Sequence, residues 1–267
     1  MLSLYLEKVM TSLKKSKVDL NKYAKAVAWS YQNDGRALDI QQNKLTQIIP
    51  FAPNQIQAYE GFINTLFNQK FVLVSPKQFN TVKDIRSYVA STNSLPPKTN
   101  NQKWLFWCKE DPYPNAAEMF DDMKKGILII YSAQSQHTVF SKEMNWKNRA
   151  VHDAFGHFVS DKDPQKRTHF NLLHELKAAD ISIRKAPVDA RPIFFTEVIG
   201  QASNFNYNAK VFGTQKSLIL QGFDYNQIGK MQPGYRIEPQ WPFRVLKSAP
   251  KQEPAPDQQE QQPQQNV

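Results

Sequence analysis

Two short apolar runs constrain this chain most: Trp104 to Trp107, dominated by large aromatic residues, and Gly126 to Tyr131, continuously apolar over the length of a strand. Between them Asp111-Pro112-Tyr113-Pro114-Asn115 is turn chemistry, and Asn115 is a good cap for a helix running to about Lys125. The segment reads strand, turn, helix, strand, with a further short strand at Phe71 to Val74. Around it the apolar spacing is helical, over Leu2 to Leu13, Leu20 to Tyr31, Ile56 to Phe67 behind Pro53-Asn54, Trp146 to Phe155, Phe170 to Ile183, and Pro192 to Asn208. The expected fold is mainly α (α+β), a helical domain with a small β-sheet.

From Pro250 onward 11 of the 18 residues are Pro or Gln, so a disordered tail is expected over 250–267. No composition break divides the rest, which is read as a helical N-terminal region, 1–100, forming one domain with a metal-site core, 101–249. The longest apolar stretch, Gly126 to Ala133, falls far below the roughly 18 to 20 residues of a membrane span. Glu7 and Lys8 interrupt any signal-peptide core, so a cytoplasmic location is expected. The formal charge is +10, and the tail holds Lys251 against Glu253, Asp257 and Glu260, so the preceding residues are more basic still. That surface suits nucleic acid or a nucleotide substrate, although Lys14, Lys15 and Lys17, or Lys124 and Lys125, also read as an ordinary solvated lysine surface.

One cysteine, Cys108, cannot build a thiolate cluster, so any metal must be held by nitrogen and oxygen. Four of the five histidines, His152, His157, His169 and His174, fall within 23 residues, among Asp153, Asp161, Asp163, Glu175 and Asp180. Imidazole with carboxylate suits iron(II), manganese or zinc. Histidines five apart on a regular helix point about 140° apart, but Gly156 lets the backbone distort and swing His157 back towards His152. Asp153 would then accept a hydrogen bond behind a ligand or ligate directly. Glu197 lies inside the apolar run Phe194 to Ile199, where burial calls for a cation or hydrogen-bond donors, and Gln201 lies one turn further on the same face. Glu175 would join the site if its helix crosses the histidine pair. His174, Cys108 and the aromatic residues Trp104, Phe106 and Trp107 read as structural.

Three sequence blocks carry a resemblance. Asp111 to Tyr113, the Arg-Ala-Val-His-Asp-x-x-Gly-His block from Arg149 to His157, and Thr196 to Gln201 resemble an uncharacterised bacteriophage protein family over roughly 100 residues. This implies a phage-encoded protein of the host cytoplasm, or one associated with the virion. More narrowly, His152, His157 and a glutamate 40 residues beyond, Glu197, are similar in spacing to the iron ligands of pterin-dependent aromatic amino acid hydroxylases. That resemblance implies a non-haem iron(II) facial triad of His152, His157 and Glu197 and an oxygen-dependent hydroxylase. Beside such a metal, Asp153, Glu175 and Gln201 would orient ligands or move protons, a reading from the residues themselves. Phe158-Val159-Ser160 replaces that family's proline-containing continuation and no pterin-binding segment is evident, so only the three metal-binding roles carry over.

Two other classes stay open. His152-Asp153 is similar to the metal-binding pair of HD phosphohydrolases, which implies His137, His157 and Asp180 as partners around a metal that activates water against phosphoesters. A non-enzymatic virion-associated or nucleic-acid-binding protein would use the histidines for its fold alone.

Overall fold

The apolar runs become the strands of one sheet. The structure, a computed structural model, describes residues 20–39, 44–74, 79–133, 136–158, 170–208 and 214–223. The first segment holds helix α1 (Leu20–Gln32), then the short antiparallel strands β1 (Leu38–Asp39) and β2 (Lys44–Leu45). Helix α2 (Pro53–Lys70) runs straight into β3 (Phe71–Leu73), followed by α3 (Val82–Ser91), β4 (Lys103–Cys108), α4 (Ala116–Lys124) and β5 (Ile127–Tyr131). Helix α5 (Lys142–His152) and helix α6 (Leu172–Lys185) follow, then α7 (Arg191–Phe194) and α8 (Gln201–Tyr207). The fold is mainly helical with a small sheet, as expected. The expected Leu2 to Leu13 helix and the 250–267 tail lie outside the described residues.

Strands β3, β4 and β5 form a parallel sheet in that order, with Trp104 opposite Ile127 and Cys108 opposite Tyr131. A parallel sheet is covered on both faces, so its strands read as unbroken apolar runs; Leu105 to Cys108 and Ile127 to Ile130 are all buried. Helix α3 connects β3 to β4, and its first turn is a capping box in which Thr81 accepts from the Asp84 N–H and Asp84 accepts from the Thr81 N–H. Helix α4 connects β4 to β5 and is capped by Asn115, whose side chain accepts from the Glu118 N–H. It ends at Gly126, whose φ of +85° closes the turn that leads into β5. The Asp-Pro-Tyr turn is tied back by Tyr113, whose buried hydroxyl accepts from the Ile129 N–H at 3.0 Å.

The pairing of β3 with β4 joins the region before residue 100 to the region after it. One hydrophobic core takes in residues from Tyr23 to Leu220. Residues 214–223 run back across the N-terminal part: the Ile219 N–H donates to Ile49 O, the Gln221 N–H to Gly35 O, and the Thr196 hydroxyl to Leu218 O. Helix α5 is fastened to the carboxyl end of β5, because Arg149 donates to the carbonyls of Tyr131 at 2.6 Å and Ala133 at 3.1 Å. That anchor fixes where the last turn of α5, and with it His152, emerges. Among the described residues no helix is long and apolar enough to cross a membrane.

Candidate metal centre

Helix α5 does not stop at His152 but widens into a π-helical turn over Asp153–His157. The Phe158 N–H reaches the Asp153 carbonyl five residues back, at 2.8 Å. A turn that closes on the fifth residue puts positions five apart on one face, which a regular α-helix does not. The two imidazoles therefore meet, Nε2 to Nε2 at 2.9 Å, with their rings 88° apart. The expected distortion before His157 is present, and it is a π turn rather than a helix end.

Gly156 has a second task in this turn. A Cβ built on it would lie 3.0 Å from the Ala178 Cβ and 3.3 Å from the Ala178 carbonyl oxygen, so α6 packs directly onto the π turn. Ala178 is one helical turn beyond Glu175, and this close approach brings the Glu175 carboxylate to the histidines. Its Oε2 is 3.1 Å from His152 Nε2 and its Oε1 is 3.3 Å from His157 Nε2. The start of α6 is set by Asn171, which accepts from the His174 N–H and holds the Glu175 turn in place.

His152, His157 and Glu175 thus offer three ligand atoms within 4.8 Å of one another. Two donors about 2.1 Å from one ion lie about 3.0 Å apart at a right angle and about 3.4 Å apart at a tetrahedral angle. The observed separations of 3.1 and 3.3 Å fall in that range and that of 2.9 Å lies just below it, the first two involving different oxygens of one carboxylate. Each Nε2 has a single in-plane lone pair or proton, yet each is flanked by two partners. Hydrogen bonds alone leave at least one of the three contacts poorly aligned, whereas one cation at the common focus serves all three donors.

His157 is fully enclosed, with the Phe170 ring edge-on to it at 5.2 Å, while His152 and Glu175 side chains keep 16% and 21% of their exposure, so the cluster is open on one side. Burial pushes the Glu175 carboxyl up, but hydrogen bonds from His152 and His157 together with their charge outweigh it and hold the group well below the usual carboxylate range. Asp153 goes the other way: burial raises its carboxyl, against the lowering effect of His152 and His157.

Glu197 sits in a second π-helical turn, Phe195–Gly200, and is buried as expected. Its carboxylate is occupied there: Oε1 lies 3.1 Å from His137 Nε2, and Oε2 accepts from the Gln201 side-chain amide at 2.8 Å. His137 Nδ1 accepts the backbone N–H groups of Val139 and Phe140, which puts the ring proton on Nε2, facing Glu197. The expected set of His152, His157 and Glu197 and the gathered set of His152, His157 and Glu175 therefore share the histidines and differ in the carboxylate. Gln201, one turn beyond Glu197, holds its carboxylate through the amide hydrogen bond. Asp180 is held by Arg184 at 2.9 Å and His137 by Glu197, so neither joins His152-Asp153. His174 meets Asn171 on the exposed side of α6, while His169, Asp161 and Asp163 lie outside the described residues. The His137–Glu197 pair, 60 residues apart, has no local signal in the sequence.

The chain matches no family model, no curated protein and no solved structure.

Proposed function

We propose that the protein binds one divalent transition metal through His152 Nε2, His157 Nε2 and the Glu175 carboxylate. The convergence of these three donors at separations suited to a single ion carries the reading. Two imidazoles and one carboxylate, without thiolate, favour iron(II), with manganese or zinc compatible. Bound there, iron(II) would supply oxygen chemistry, so an oxygen-dependent hydroxylase acting on a small molecule is the activity we favour. The chain's own residues support it in distinct ways. His157 is fixed by enclosure under Phe170, Glu175 stays ionised between two imidazoles, and the part-exposed edges of His152 and Glu175 leave the open side to a substrate. The resemblance of three sequence blocks to a bacteriophage protein family is what supports a phage-encoded protein of the host cytoplasm.

The test is metal content of anaerobically purified protein beside His157→Ala, Glu175→Ala and Glu197→Ala. Loss of a donor should weaken metal affinity at least about tenfold, so His157→Ala and Glu175→Ala should emerge depleted and Glu197→Ala loaded. Metal kept by Glu175→Ala and lost from Glu197→Ala would move the third ligand to Glu197. No metal in the wild type would end the reading.

A further inference from the structure

Behind the metal-facing edge of His152 lies a mismatch. Its Nδ1 is buried and has no hydrogen-bond partner among the described residues, and the same holds for the side-chain oxygen of Asn148. Asn148 is only 8% exposed and lies four residues before His152 on α5. Residues four apart are neighbours on one helix face, with Cβ atoms about 5–6 Å apart. An imidazole that gives its Nε2 lone pair to a metal must carry its proton on Nδ1, and a ligating histidine commonly donates that proton to an acceptor behind it. Buried polar groups are seldom left unpaired. Here a buried donor that needs an acceptor and a buried acceptor that needs a donor lie one turn apart on the same helix.

We propose that Asn148 is the positioning residue of the centre: its Oδ1 accepts the Nδ1 proton of His152, directly or through one buried water, and so holds the tautomer that presents Nε2 to the metal. This rests on the metal reading above. A bridging water suits the site, since two unpaired polar atoms closed off from solvent one helical turn apart are what an ordered internal water bridges.

Cobalt(II) is the probe, because its visible spectrum reports ligand geometry. Asn148→Ala and the similarly sized Asn148→Leu remove the acceptor, whereas Asn148→Asp keeps one. The first two should bind cobalt about 10–100-fold more weakly than wild type and show an altered visible band, with the melting temperature of the metal-free protein little changed. Asn148→Asp should restore both affinity and spectrum, an outcome that a purely structural asparagine would not produce. If Asn148→Ala does not fold, the Leu and Asp variants carry the same comparison. Wild-type affinity and spectrum in Asn148→Ala and Asn148→Leu, alongside loss in His157→Ala and Glu175→Ala, overturn the role of Asn148 alone. Cobalt binding untouched in His157→Ala and Glu175→Ala, or absent from the wild type, overturns the metal reading and this inference with it.

Discussion

Replacing Gly156 by alanine tests whether the close approach of α6 to the π turn builds the candidate site. The added Cβ would meet the Ala178 methyl at 3.0 Å, the Ala178 carbonyl oxygen at 3.3 Å and its Cα at 3.4 Å. A methyl has no other rotamer and two of the three contacts are backbone, so relief requires α6 itself to move. Overpacking of this kind costs about 1–3 kcal/mol. Glycine to alanine in helical backbone recovers roughly 0.5–1 kcal/mol, so a net loss of about 1–2 kcal/mol is expected. The same displacement carries Glu175, one turn away on α6, off the histidines and weakens metal binding. Ala178→Gly by itself should cost about 1 kcal/mol through helix propensity. In the double variant it also removes the closest of the three contacts, the methyl one at 3.0 Å, and leaves the two looser backbone ones, so the two changes should fall short of additivity by about 1 kcal/mol. Urea unfolding of the four proteins, with cobalt titrations alongside, measures both effects. Additivity within about 0.5 kcal/mol, or a Gly156→Ala protein as stable and as tight for cobalt as wild type, would refute the packing argument.

Two further outcomes follow from the buried carboxylates. Glu197→Ala strips the acceptor from the His137 Nε2–H and the Gln201 amide; the His137 side chain is enclosed, so its donor left unpaired costs about 1–3 kcal/mol, whereas the partly exposed Gln201 amide can turn to water, and urea unfolding should show a drop of roughly 1–3 kcal/mol, a loss under about 0.5 kcal/mol contradicting the pairing. Asp180 is buried, and burial raises its carboxyl above the ordinary 3.8 despite the Arg184 ion pair. The native state then holds this proton to higher pH than the unfolded chain does, so the group's contribution to stability falls as pH climbs from 3.8 through the raised value and stays low above it. Stability of wild type minus Asp180→Asn should therefore decrease across that window, and a flat or rising difference would refute it.

Much of the architecture follows from signals a few residues long. The apolar runs at Phe71, Trp104 and Gly126 became the three strands of the parallel sheet, Asn115 caps α4, and Pro53 opens α2. Helix α3 was not anticipated, although Thr81 and Asp84 form a capping pair at the right spacing. It is a short helix with only Val82 and Ile85 fully buried, so its apolar period is weak. Strands β1 and β2 are two residues each and have no room for a pattern.

The site divides along a different line. The meeting of His152 and His157 is local, because Gly156 next to the second histidine leaves the backbone free to distort, and the turn there widens. The choice of carboxylate is not local. Glu197 lies in an apolar run and its burial is real, but two hydrogen-bond donors compensate it, and His137 arrives from 60 residues away. Glu175 sits in Leu-Leu-His-Glu-Leu-Lys, an ordinary amphipathic pattern, and the sequence admits it to the site only on the condition that its helix crosses the histidine pair. What brings it to the histidines is the fit of Gly156 against Ala178, two small residues on separate elements whose contact no periodicity within either helix encodes. Spacing along one chain segment can therefore identify a pair of ligands on one turn, whereas the third is decided by which helix packs closest.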